Sequence, residues 1–128
     1  MDNLLNFIKT TLANNATIQE ATQGRVYPFE TKQGTHTYPL IFWQIISTKN
    51  AALELCGVGQ VWQSEVQVDV FTCQAESSAR LGGIVRDAFN SATKTTGILA
   101  AYSDQVTPAY ADEDETIHYA VRVFVNHL

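Results

Sequence analysis

The side chains of this sequence most able to do chemistry are three histidines, His36, His118 and His127, two cysteines, Cys56 and Cys73, and an unbroken run of carboxylates from Asp112 to Glu115. Imidazoles and thiolates hold a transition metal when they recur at ligand spacing, and none of the histidines has a second histidine or a cysteine placed to preassemble such a site. Surface or half-buried histidines are the expectation. The acidic run could attract a divalent cation or a basic partner, but it lacks the spaced ligands and the glycine of an EF-hand loop. It reads as a solvated hairpin tip whose charges discourage unwanted strand pairing. A nucleophile elbow, a P-loop, an H-E-x-x-H helix and a dinucleotide glycine fingerprint are all missing from the sequence. No catalytic residue, cofactor site or metal site is therefore assigned, and the expectation is that the chain is not an enzyme. Asp69 falls on the polar face of a strand and reads as a cross-strand or intersubunit partner rather than a general base. Phe42, Trp43 and Trp62 could line a pocket, although bulky residues on strands beneath a helix are ordinarily core. Trp43 lies on the opposite strand face from Phe42, which leaves one of the two for an interface.

Positioning these residues falls to a chain of 128 residues with 45% apolar content, enough for one domain over residues 1–128 and one core. Thirteen acidic against eight basic side chains give a net charge of −5 without any Lys/Arg cluster, which argues against direct nucleic-acid recognition. No run approaches the ~18 apolar residues of a membrane span. The opening segment carries Asp2 and Lys9 and lacks the continuous apolar stretch of a signal peptide. Cys56 and Cys73 flank a long strand, beyond the ~7 Å Cα separation that a disulfide bridges, so both are expected as reduced thiols of an intracellular product.

That strand, Trp62 to Cys73, is the strongest pattern in the chain: Trp62, Val66, Val68 and Val70 alternate with Gln63, Glu65, Gln67 and Asp69. Its dozen positions would extend on the order of 40 Å, longer than a small core covers, so part of it is expected to pack against or pair with another copy. Leu5, Ile8 and Leu12 mark a first amphipathic helix ending at Asn14 and Asn15. Thr17 and Glu20 have capping-box spacing before a single turn that ends near Gly24. Phe29 to Thr37 is a polar loop, and Leu40 to Thr48, introduced by Pro39, is a strand. Lys49 to Gly59 is long for a hairpin connection and reads as a projecting arm. Leu81, Val85, Ala88, Phe89 and Ala92 give a second helix a buried face, with Gly82 and Gly83 inside it as a tolerated kink. A weaker strand at Val106 to Tyr110 contains Pro108 and belongs at an edge. Thr116 to Asn126 closes the chain with Ile117, Tyr119, Val121, Val123 and Val125 on one face. The predicted fold is α+β, an antiparallel sheet of about four strands with helices packed on one face, in the order α-β-β-α-β-β.

As an ordered set, Arg25-Val26-Tyr27-Pro28, Tyr38-Pro39-Leu40-Ile41-Phe42-Trp43-Gln44, Cys56-Gly57 and Val66-Gln67-Val68-Asp69-Val70-Phe71, followed by the Ala75 to Ala92 helix and the Tyr119 to Val125 strand, resemble the phage tail completion family. These are the small tail terminator and tail-to-head joining proteins of long-tailed bacteriophages, prophages and gene transfer agents. The resemblance spans nearly the whole chain. It implies a homo-oligomeric ring, usually a hexamer, that is assembled in the host bacterial cytoplasm and located in the virion at the head-proximal end of the tail. Its partners would be the tail tube protein and the head connector, with no cofactor, no membrane and no catalysis. The candidate oligomer or tail and neck contacts are then Phe29, Lys32 and His36 in the polar loop, and Lys49 and Glu54 in the projecting arm. Trp43, Gln63, Glu65 and Asp69 are candidates on the strands, and Asp112 and Glu113 in the acidic run. Two other readings stay open on the residues alone. One is another ring of the head–tail neck. The other is a small ligand-binding or enzymatic α+β domain whose pocket would gather Asp69, His118 and Arg122.

Overall fold

Apolar residues at helical spacing near the N-terminus close one face in the computed structural model, where α1 (Asp2–Ala13) buries Leu4, Phe7, Ile8 and Leu12. The structure describes residues 2–28, 37–52, 61–111 and 117–128. Leu5, predicted within the buried stripe, sits at its margin, because the stripe centres on Phe7 and Ile8. A second helix, α2 (Ala16–Thr22), is longer than the expected single turn. Its cap is Asn15, whose side-chain carbonyl accepts from the Ile18 N–H at 3.0 Å. Thr17 and Glu20 lie inside α2, so the capping-box reading is corrected. Asparagine is as good an N-cap as serine or threonine, and here it comes first in the chain.

The remaining elements are β1 (Val26–Pro28), β2 (Leu40–Ala52), β3 (Val61–Thr72), α3 (Ala75–Asn90), β4 (Ile98–Ala111) and β5 (Ile117–His127). They form one sheet in the order β1-β2-β3-β5-β4, with β1 parallel to β2 and every other pairing antiparallel. The fold is α+β as predicted, and the described residues form five strands in a mixed sheet in the order α-α-β-β-β-α-β-β. Four strands, a purely antiparallel sheet and the order α-β-β-α-β-β are corrected by the short β1 and by α2. Two boundaries also move. Lys49 to Ala52 continue β2 rather than opening a loop, and β4 begins at Ile98, well before Val106. Pro108 does lie on an edge strand.

β3 is central, paired along its length with β2 on one side and β5 on the other. The expectation that part of this long strand pairs with another copy is therefore corrected; the sheet's edges are β1, the length of β2 beyond it, and β4. Ile41 and Trp43 of β2, Val66, Val68 and Val70 of β3, and Val121, Val123 and Val125 of β5 point to the same side. All three helices cover that side, with Ile18, Leu81, Val85 and Phe89 in the same cluster and Phe7 edge-on to Phe89 at 6.0 Å. Asn90, at the end of α3, clamps the helix to β4: its amide donates to the Ser103 carbonyl and accepts from the Ser103 N–H, both at 2.7 Å.

Two glycines separate backbone need from tolerance. Gly97, before β4, has φ +80°, and a Cβ there would lie 2.5 Å from Asn3 Nδ2 on α1. Gly83 lies within the unbroken α3, and a Cβ there would meet only Arg86 Nη2, at 4.0 Å, so no neighbouring backbone demands it. Gly83→Ala should raise stability by about 0.5–1 kcal/mol. Gly97→Ala should lower it by about 1–2 kcal/mol through the left-handed backbone, before the Asn3 contact is counted. Urea titration of both variants checks the pair, and equal shifts of one sign would contradict it.

Candidate functional site

The sheet face away from the helices carries most of the unusual polar and aromatic chemistry of the chain. At one end Leu40, Phe42 and Phe71 form a second apolar cluster flanked by Tyr27 and Tyr38. Phe42 meets Phe71 edge-on at 5.7 Å, and His118 of β5 stacks on Phe71 at 4.8 Å. Next to it the Asp69 carboxylate, 4% exposed, accepts from Gln67 Nε2 at 2.9 Å and contacts His118 Nε2 at 3.2 Å. This is the cross-strand role read for Asp69. A buried carboxylate needs such partners, since an unpaired one costs several kcal/mol. Further along the face Arg122 donates to Glu65, and Tyr102 of β4 stacks on Phe124 of β5 at 5.3 Å.

A β-bulge resets the pattern of β2. Ile45 pairs with Val66 and Ser47 with Glu65, so Ile46 is the extra residue, and it is 45% exposed. Before the bulge the odd positions Ile41, Trp43 and Ile45 pack toward the helices. After it Thr48 takes that side, hydrogen-bonded at 2.7 Å to the buried Ser64, whose hydroxyl also meets His127 Nε2 at 2.8 Å. An inserted residue rotates every later side chain to the other face, which simple alternation cannot anticipate.

The predicted contact residues are thus dispersed. Trp43 is 6% exposed and belongs to the main core, while Phe42 is buried on the other face, so neither is left over for an interface in the isolated chain. Lys49 is exposed on β2 and pairs with the half-buried Gln63 on β3. Glu65 is held by Arg122, and Asp69 by Gln67 and His118. Phe29, Lys32, His36, Glu54, Asp112 and Glu113 lie outside the described residues, as do Cys56 and most of the proposed arm; Cys73 is an exposed free thiol. Asp69 and His118 do meet, but Arg122 is bonded elsewhere. Three clefts bounded by described residues lie between α1, α2 and β1, beside the C-terminal end of α3, and at the turn from β3 to α3; none of these three is lined by Asp69, His118 or Arg122. Among the described residues no three histidine, cysteine or acidic side chains gather as metal ligands, and no helix is long and apolar enough to cross a membrane.

Sequence reasoning missed Ile46, Leu99 and Tyr102, each 45% exposed, the first on β2 beyond its pairing with β1 and the other two on the edge strand β4. Only their size and exposure together mark them, and exposure is not written in the sequence.

Neither a protein-family model nor a curated protein sequence matches this chain. Among solved structures it is similar to a chain of the structure described as "Virion of native gene transfer agent (GTA) particle". The two superpose with a TM-score of 0.75 at 12% sequence identity, over 97% of this chain and 93% of the other. The likeness is one of fold.

Proposed function

We propose that this chain is a structural virion protein that forms a closed ring at the head-proximal end of a phage-type tail tube, ending tube growth and joining the tail to the head connector. The observation that carries this reading is the fold likeness to a component of a gene transfer agent virion, which covers nearly all of both chains. It is joined by the ordered tail-completion motifs of the sequence. The physical features agree: β4 is an edge of the sheet, β2 is an edge beyond β1, and large apolar residues are exposed on both. The mechanism is steric. One face of the ring resembles a tube layer closely enough to bind the last one, and the other face lacks the surface that would accept another layer. No cofactor or bond-making step is required, and a hexamer is the ring expected.

Light scattering across a range of concentrations, followed by mixing with purified tail tubes, tests the proposal. The expected result is a hexamer-sized species that binds one end of the tube and stops elongation. A chain that stays monomeric, leaves tubes growing and instead binds a small molecule with a clear thermal shift would make the ring reading untenable.

A further inference from the structure

Resting on the ring reading, we infer that neighbouring subunits join by antiparallel pairing of the β2 edge of one copy, around Ser47–Lys49, with the β4 edge of the next, around Ala100–Tyr102. β1 covers β2 only at Ile41, Phe42 and Trp43. Beyond that point the outer edge of β2 has no strand partner among the described residues, and Ile46 to Asn50 are all exposed. A row of unpaired backbone N–H and C=O groups is a template for another strand. At the opposite side of the sheet β4 pairs with β5 and with no other strand among the described residues, so its outer edge also faces away from the sheet.

Strand direction and level make these two edges complementary. The successive antiparallel pairings β2 with β3, β3 with β5 and β5 with β4 leave β2 and β4 running in opposite directions. Placing a second copy beside the first with the same sheet orientation therefore sets β4 antiparallel to β2. The pairing rows also agree. Ser47 is level, through Glu65 and Phe124, with Tyr102; Thr48, through Ser64 and Val125, with Ala101; Lys49, through Gln63 and Asn126, with Ala100. Because both edges offer the same levels, the step from copy to copy carries little rise along the strands, as a closed ring requires. The faces match as well: Glu65, Phe124 and Tyr102 belong to the row on the outer side, and Thr48, Ser64 and Ala101 to the row on the helix side.

The exposed apolar side chains fall where such a joint would cover them. Ile46 bulges at one end of the matched stretch, level with Tyr102, and Leu99 bulges at the other. Bulges and charges ordinarily blunt edges against wrong partners, yet here both bulged residues are large and apolar, and they bracket the regular stretch rather than interrupt it. Past Tyr102 the Ser103 N–H and C=O are already bonded to Asn90, which sets the limit of pairing on that side.

Disulfide trapping tests the joint on the full chain, with Cys56 and Cys73 changed to serine and the pair Lys49→Cys and Ala100→Cys introduced. Within one subunit these positions are three strand spacings apart, roughly 14 Å, too far for a disulfide, so any bond formed is between copies. Mild oxidation should move most of the protein into a ladder of cross-linked species that ends at the mass of the ring. The control pair Lys49→Cys with Glu20→Cys on α2 should not, and thermal melting of both variants checks that they fold. A ring-sized species without the ladder would overturn this joint and leave the ring standing. Equal cross-linking of the control would also overturn the joint, as random collision. Monomer without cross-links would overturn the joint and the ring together.

Discussion

Phe89→Ala should be among the most damaging single substitutions in the chain, costing about 3–5 kcal/mol. Phe89 is 1% exposed on α3 and meets Phe7 of α1 edge-on at 6.0 Å and 66°, so its ring ties two helices to each other as well as to the sheet beneath them. Removing it forfeits the transfer energy of the ring and leaves a cavity between rigid elements, which cannot collapse without moving α1 or α3. Against a total stability of about 5–15 kcal/mol, such a loss takes a large share and should lower the melting temperature by roughly 10–15 °C. Urea titration should show a lower midpoint with little change in slope. Phe89→Leu keeps much of the volume and should cost far less, and a cycle with Phe7→Ala should give a coupling of about 0.5–1.5 kcal/mol. A cost near that of a surface substitution would mean that the two rings are not packed as described.

The elements legible in the sequence were those whose pattern repeats. β3 and β5 alternate cleanly, and Val66, Val68, Val70, Val121, Val123 and Val125 are all fully buried on the predicted faces. The face of α3 was readable for the same reason, since Leu81, Val85 and Phe89 recur at helical spacing. β1 was not readable, because three residues carry no period and its pairing with β2 rests on a contact distant in sequence: the Ile41 N–H donates to the Arg25 carbonyl at 3.0 Å. The cap of α2 was misplaced because Asn15 and Thr17 are both good caps, and sequence does not say which backbone is extended.

The site was less legible than the fold for a related reason. Asp69 reads from sequence as a polar-face residue, but only the register, which pairs Phe71 with His118 and Asp69 with Ala120, makes it a diagonal neighbour of His118. Trp43 reads from sequence as an aromatic left over for an interface, yet both faces of its strand are buried at that level. Conversely, Ile46 reads as an ordinary member of an apolar run, and it stands out only once a bulge places it on an exposed edge.

That bulge makes Ile46→Asp the decisive substitution for function. Because Ile46 is 45% exposed, the monomer should keep its stability to within about 0.5 kcal/mol. In a joint where its side chain is covered by the neighbouring copy, a carboxylate would lose hydration without gaining a partner, and a charge on an edge is itself a barrier to strand addition. A covered residue of this kind is worth about 2 kcal/mol, so each junction should weaken roughly 30-fold. Since every subunit of a closed ring takes part in two junctions, the losses compound, and the variant should stay monomeric at concentrations where the parent chain assembles. Ile46→Lys makes the acidic chain less so and should fail equally, which separates a local cost from general repulsion between copies. Leu128→Asp adds the same charge at a residue that is 52% exposed and lies beyond the end of β5, off both edges, and should assemble normally. Concentration-dependent light scattering beside thermal melting distinguishes the cases. Assembly of Ile46→Asp at parental concentrations, or equal loss in Leu128→Asp, would remove the β2 edge from the joint and leave ring closure to some other surface.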